Sequence, residues 1–511
     1  MAEPVTRALR ERIAALSSRQ LARNVGANAL AVGWNGLLIV LVTPWYVSIL
    51  GMEGYGLVGF WVLLQVVLAL CDFGLGATLV REFASAQGMP DEHSRRGNLL
   101  RTLEWVYWPL AASLAVLLFV AAGWVATAWL KLQTLPASQV ARSVQWMALA
   151  LGLQLPGALY SSGLIGLQRQ GSLARLQMSA NTLRHVGGLA VLLWRADPAS
   201  YFIVQALASG VQTLATRATL SAVLAGADTD RPVFRATLLR EVWRFSAGMA
   251  TTTMAAVLLG NVDRLFLSAL LPAAELGKYS VAWTATGLLQ LGIQPFYRAY
   301  FPRFAELLAV GDRATLRREY YDGCRIVAQM IVPAALIGWV FAPELFRAWM
   351  GNADRTSVAA FRLLLVGVGC AGLMWLPAAF QQAHGWTRLH AMMIAGALVI
   401  GAGSLWWTIR LWGTVGATSV WLLHGVSDLT LGLWLMHRRL LPGECGHWWR
   451  VVLVPPLLYC VPIVAISWLA MPAQLGRWSL ALWLGATGLL AMTSLLRLWR
   501  KGTGPEPVPA R

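Results

Sequence analysis

The stretch GANALAVGWNGLLIVLVTPWYVSI, residues 26–49, runs for 24 residues without one charged side chain. At roughly 1.5 Å per residue a helix of that length reaches about 36 Å, enough to cross a hydrocarbon core about 30 Å thick. Residues 106–130, 143–168 and 451–476 repeat the pattern, again free of charge. Only helices suit such runs. Inside lipid every backbone N–H and C=O must be satisfied within the segment, and the runs are too long and too evenly apolar for barrel strands.

Working outward, apolar runs recur over 26–49, 55–80, 106–130, 143–168, 174–194, 198–216, 245–271, 279–297, 326–343, 363–387, 391–409, 411–436, 451–476 and 478–496. The chain of 511 residues is 57% hydrophobic and 13% charged, against about 25% charged in soluble domains. These features predict an all-α polytopic membrane protein with about 14 transmembrane helices. Residues 1–25 are polar and rich in arginine (Arg7, Arg10, Arg12, Arg19, Arg23) and show no cleavable signal. Val5–Leu21 reads as an amphipathic helix lying on the cytoplasmic face. The net charge of +18 does not call for nucleic acid, because most of the 41 Lys and Arg fall in alternate loops. That bias places both termini in the cytoplasm.

The inward connection over 217–244, with Asp228, Asp230, Arg231 and Pro232, divides the chain. The expected organisation is a cytoplasmic segment 1–25, an amino-terminal six-helix lobe 26–226, a linker 227–244 and a carboxy-terminal six-helix lobe 245–440. Two extra transmembrane helices, 441–496, and a cytoplasmic tail, 497–511, complete it. Glu53, Trp61 and Arg81 recur as Glu275, Trp283 and Arg303, each 222 residues on. With an even number of spans per half, this makes a parallel repeat.

The outward loops are short, the longest polar one running from Glu344 to Arg362, which leaves little chain for an enzyme of the outer face. No P-loop, no Gly-x-Ser-x-Gly elbow and no His/Cys metal spacing is found. The five cysteines are scattered and read as packing residues. A transporter without cofactor is expected.

Ionisable groups inside spans are expensive and mark transport paths or ion pairs. Arg184 lies about 15 Å from Ala174, near mid-bilayer, where its guanidinium either meets an anion or pairs with an acidic residue of another helix. Asp72, in Asp72-Phe73-Gly74-Leu75-Gly76, sits in the inner third of its span. It is read chiefly as a structural partner of Arg81 or of the amino-terminal arm, and otherwise as a site responding to protons or sodium. Asp263 and Arg264 point about 100° apart on one helix, so neither satisfies the other alone. Ion coupling and interfacial pairing are both open to them. His424 and Asp428, four residues apart, share a helix face and could relay protons. Asn28, Asn35, Gln154, Asn181, Gln205, Gln212, Gln290 and Gln294 either line a transport path or pin helices together. Arg298 and Arg303 could meet an anionic headgroup or anchor to anionic lipid.

Leu50-Gly51-Met52-Glu53-Gly54-Tyr55-Gly56-Leu57, then Asp72-Phe73-Gly74-Leu75-Gly76 and Arg81-Glu82-Phe83-Ala84, resemble the first two spans of Wzx-type polysaccharide and O-antigen flippases. Asn261-Val262-Asp263-Arg264-Leu265, Glu275-Leu276-Gly277-Lys278-Tyr279-Ser280, Pro302-Arg303-Phe304-Ala305 and Gly311-Asp312 resemble the family's seventh and eighth spans. The family belongs to the multidrug/oligosaccharidyl-lipid/polysaccharide (MOP) exporter superfamily. The resemblance implies two six-helix bundles in a V around a central cavity, with two added carboxy-terminal helices. It also implies translocation of undecaprenyl-pyrophosphate-linked oligosaccharide across the bacterial inner membrane, and Asp263 as a candidate in ion coupling. Substrate contacts are expected from Arg184, Arg298, Asn181 and Gln294; coupling or gating is expected from Asp263, His424, Asp428, Asp72 and Arg264. A polysaccharide polymerase and other assembly proteins are conceivable partners. The rival readings are an ion-coupled drug antiporter of the same superfamily and a membrane polysaccharide polymerase or ligase.

Overall fold

The computed structural model describes residues 3–85, 92–225, 232–240, 254, 257–472 and 475–500. The chain divides into two compact units, Met1–Asn261 and Val262–Arg511. Of the expected 227–244 linker, only 232–240 lies within the described residues.

Unit 1 begins with α1 (Glu3–Cys71), which is two helices joined at Gly51, where the backbone turns to φ 69°. The apolar stretch Gly26–Cys71 would run about 69 Å if straight, more than two core thicknesses, and the turn resolves the excess. Glycine supplies this positive φ without a Cβ penalty. The helical backbone extends back to Glu3; the side chains of the expected amphipathic face, Val5–Leu21, lie outside the described residues. α2 (Leu75–Ser85), α3 (Glu92–Trp124), α4 (Ala137–Gly166), α5 (Gln170–Thr182), α6 (Gly188–Trp194) and α7 (Pro198–Leu224) follow. α4 packs against α2, α3 and α7. Its small residues allow this closeness: a Cβ on Gly157 would lie 2.5 Å from Thr213 Oγ1 of α7. Dispersion at such close backbones replaces the hydrophobic drive that lipid cannot supply. Leu79, Phe83, Leu103, Tyr107, Leu159 and Tyr160 fill the core at one end of the unit. Leu117 and Val120 on α3 stay 68% and 77% exposed, as a lipid-facing surface would be.

Unit 2 comprises α8 (Val262–Leu270), α9 (Ala273–Val310), α10 (Arg313–Val340), α11 (Ala342–Met350), α12 (Arg355–Leu373), α13 (Trp375–Ala383), α14 (Arg388–Ala417), α15 (Ser419–Ser427), α16 (Leu433–Leu440), α17 (Cys445–Trp448), α18 (Val454–Leu469) and α19 (Arg477–Arg500). α12 and α15 approach until the backbones of Gly367 and Gly425 touch. The polar segment from Glu344 to Arg362, expected as a loop, is mostly helical. Pro343 starts α11 in the first turn, where its missing N–H costs nothing, and Phe346 is buried. α18 and α19 pack against α10.

Among the described residues, seven helical stretches are long and apolar enough to cross a membrane: Gly26–Cys71, Ser94–Trp129, Ala137–Gly166, Arg313–Val340, Arg355–Ala383, Arg388–Ala417 and Cys445–Leu469. The first of these holds the expected span 26–49 and residues 55–71 of the expected span 55–80, on either side of Gly51. The protein is an all-helical, multi-pass membrane protein.

The repeated glutamates do comparable work. Glu53 accepts from the backbone N–H groups of Gln133 (2.6 Å), Thr134 (2.8 Å) and Leu135 (3.2 Å) and from the Thr134 hydroxyl, fixing the turn before α4. Glu275 accepts from Lys278 Nζ (2.6 Å) and from the Thr414 hydroxyl, next to Gly413 with its φ of 58°.

Candidate functional site

The segment Gln170–Trp194 is helical throughout, yet not uniformly α: α5 passes through a π turn, Leu183–Gly187, into α6. Single π turns insert a residue into a helix, re-aim its side chains, and recur at functional sites. This one carries Arg184 and His185. The carbonyls of both gain partners from other helices. Gln205 Nε2 on α7 donates to the Arg184 oxygen at 3.4 Å, and the Tyr46 hydroxyl on α1 donates to the His185 oxygen at 2.8 Å.

The Arg184 side chain is held by neutral groups. Nη1 donates to Asn181 Oδ1 at 3.1 Å and Nη2 to Ser209 Oγ at 3.4 Å, while Nε is buried without a hydrogen-bond partner. Beside it, His185 Nε2 lies 3.3 Å from Asn35 Oδ1. An acceptor there assigns the proton to Nε2 and leaves Nδ1 with its lone pair; Nδ1 too is buried and unpartnered.

Both side chains face a cavity of about 390 Å³ inside unit 1, between α1, α4, the α5–α6 segment and α7. That size lies within the range of about 300–1,000 Å³ typical of small-molecule sites. Gln65, Gln154, Gln205 and Gln212 bring amides to the wall, and Trp61 and Tyr201 bring aromatic faces. Gln65 Nε2 donates to Gln154 Oε1 at 3.4 Å, and Gln154 Nε2 to Ser209 Oγ at 3.0 Å, so amides and guanidinium share one network. Among the described residues that line the cavity there is no Asp, Glu or Lys. A single fixed positive charge, amides able to donate and accept, and aromatic faces can hold an anion joined to a hydroxyl-rich group.

The structure thus brings Arg184 and Asn181 together with Asn35, Gln154, Gln205 and Gln212. Gln294 and Arg298 lie on α9, and their side chains are outside the described residues. Asp72 stands where the second apolar run breaks, beside Phe73 (φ 46°) and Gly74 (φ 74°). It takes the Gly76 N–H at 3.2 Å and the Tyr107 hydroxyl at 2.6 Å, a helix start and a tyrosine, while most side chains of the expected amino-terminal partner arm lie outside the described residues. The sharp turn points its carboxylate into the unit 1 core.

In unit 2, Asp263 is buried and accepts from the Tyr279 hydroxyl, from Trp421 Nε1 at 3.0 Å and from the Arg264 N–H at 2.8 Å. The Arg264 guanidinium lies over the Trp283 ring, 4.9 Å from its centre. His424 and Asp428 make no hydrogen bond to each other. His424 Nδ1 is buried without a partner, and Asp428 opens a second π turn, Asp428–Gly432. The expected direct pair is therefore not formed.

Sequence reasoning did not single out Tyr46, Gln65, Tyr201, Ser209 or Thr213. Only their approach across helices gives them a role, and nothing in their spacing signals it. His185, the neighbour of Arg184 in the run 174–194, was given no role of its own.

The fold is that of an all-helical, multi-pass membrane protein. Solved structures share it: the lipid II flippase MurJ in an inward closed conformation matches with a TM-score of 0.69 at 11% identity, over 92% of this chain and 98% of that one. An inward-facing multidrug resistance MATE family transporter of the MOP superfamily matches with a TM-score of 0.61 at 14% identity, over 81% and 96%. Residues 21–308 match the family model described as "Polysaccharide biosynthesis protein", and the chain belongs to that family. A relative from Shigella flexneri described as "Putative O-antigen transporter" is 22% identical over 398 residues, 76% of this chain and 91% of the relative. The resemblance to Wzx-type members of the MOP superfamily is borne out.

Proposed function

We propose that this protein is a flippase that moves undecaprenyl-pyrophosphate-linked oligosaccharide units from the cytoplasmic to the outer leaflet of a bacterial inner membrane by alternating access. The observation that carries the reading is Arg184: a guanidinium with neutral partners and an unfilled Nε, facing a cavity whose described lining has no carboxylate. In a low-dielectric setting that charge invites an anion. Asn181 and the glutamine amides suit the sugar next to the phosphate, while the polyprenyl tail stays in lipid. Family membership and the description of the Shigella relative support the substrate class.

Asp263, His424 and Asp428 are the groups of unit 2 through which an ion could bias the cycle, with Arg264 and Asp72 in gating or structural roles. Arg298 and Gln294 would add substrate contacts from α9. Fourteen spans, cytoplasmic termini and a V-shaped pair of bundles complete the proposal.

The test is export in a deletion strain complemented with Arg184→Ala. Lipid-linked units should accumulate facing the cytoplasm while the variant stays folded in the membrane. Export at the wild-type level would overturn the role of Arg184. Units reaching the outer leaflet of the deletion strain unpolymerised would favour a polymerase instead.

A further inference from the structure

Two adjacent side chains on one π turn line the same cavity, and each carries a buried nitrogen without a hydrogen-bond partner. Arg184 Nε is a donor without an acceptor; His185 Nδ1 is a lone pair without a donor. A buried polar atom with no partner forfeits its hydrogen bond, so a ligand that supplies the missing partner is favoured there. An anion alone completes only the arginine. An anion together with a proton completes both, because protonated His185 donates from Nδ1 to the anion while Nε2–H keeps Asn35.

We propose that His185 takes up one proton when the cavity receives its anion, so that headgroup and proton bind as a unit. This rests on reading the cavity as an anion site. The charges motivate the stoichiometry. A pyrophosphate diester carries two negative charges, and Arg184 alone supplies one positive charge. The proton, taken from water onto Nδ1, forms an N–H bond and supplies the second, and no other bond is made or broken. Without the anion, a second positive charge beside Arg184 is repelled; with it, each cation faces an opposite charge.

The groups around His185 leave this role to it. Arg184 is its neighbour on the turn. The Tyr46 hydroxyl of α1 reaches its backbone oxygen, Tyr201 of α7 lines the same cavity, and Tyr46 and Tyr201 stack edge to face with ring centres 5.2 Å apart. Arg175 of α5 is exposed and bonds Ser172 at 3.3 Å; α6 carries no charged side chain. Imidazole is the side chain whose ordinary titration falls near neutral pH, whereas tyrosine and arginine stay in one form there.

The experiment is calorimetric titration of the full chain in nanodiscs with a farnesyl pyrophosphate diester bearing one N-acetylglucosamine, whose phosphates exchange no proton near neutrality. Repeating it in buffers of different ionisation enthalpy counts protons bound per ligand. Wild type should take up about one proton at pH 7.5. His185→Gln should lose that uptake, with affinity reduced about tenfold. Asn35→Asp, which places a carboxylate against Nε2 and charges the ring beforehand, should also abolish uptake while retaining binding. No uptake by wild type, or undiminished uptake in both variants, overturns the proton role. If wild type fails to bind the probe, or Arg184→Gln binds it as wild type does, the anion reading fails instead.

Discussion

The Tyr46 hydroxyl donates to the backbone oxygen of His185 across 2.8 Å, tying α1 to the π turn that presents Arg184. The bond spans 139 residues of sequence. It satisfies a carbonyl where the helix ladder is irregular, and it fixes the turn against a second helix.

Tyr46→Phe removes that donor and keeps the ring, which is 2% exposed. A loss of about 1–2 kcal/mol in stability is expected, the cost of one buried hydrogen bond. Export should fall severalfold because Arg184 loses its fixed aim. Thermal unfolding in nanodiscs and export of lipid-linked units read the two effects.

Arg184→Lys keeps the charge but loses the planar fork that reaches both Asn181 and Ser209. Export should fall about tenfold relative to wild type, yet stay above Arg184→Ala. A lysine variant equal to the alanine variant would show that the fork matters and the charge alone does not suffice.

At Asp263 two substitutions separate structure from charge. Asp263→Ala strands the Tyr279 hydroxyl and Trp421 Nε1 and should cost about 2–5 kcal/mol. Asp263→Asn keeps an acceptor and should fold. A folded asparagine variant without export assigns the charge to the transport cycle; one with full export makes Asp263 a packing residue.

Glu53→Ala frees three backbone N–H groups and the Thr134 hydroxyl before α4. Hydrogen bonds to an ionised group contribute about 1.5–3 kcal/mol each, so a loss of at least that order is expected. Proteolysis in the 131–136 turn should accelerate in the variant.

Gly425→Ala forces a Cβ into the backbone of Gly367. Overpacking of about 1–3 kcal/mol should appear as a lower Tm and lower yield, with no change in the affinity of the unit 1 cavity for its ligand.

The helices were legible because burial in lipid imposes a one-dimensional rule: a span must be long, apolar and free of charge. That rule located residues 26–49 and their counterparts, and it made Arg184 stand out. The bend at Asp72-Phe73-Gly74, where glycine tolerates a positive φ, falls inside the expected span 55–80. The His424–Asp428 pair shows where local spacing stops being enough. A shared face predicts proximity, but Asp428 opens a π turn and the side chains make no hydrogen bond. Likewise the Tyr107 hydroxyl that meets Asp72, 35 residues away in sequence, has no signal in the local spacing.

By itself, then, the sequence determined that the chain is a helical membrane protein, that its motifs are those of Wzx-type transporters, and that Arg184 is its most unusual buried charge. Tertiary structure alone decided what surrounds that charge. The cavity, the neutral partners of the guanidinium and the unfilled nitrogen of His185 depend on contacts between helices far apart in sequence. Polar side chains inside a membrane protein acquire their function from the neighbours that satisfy them, and from the neighbours that do not.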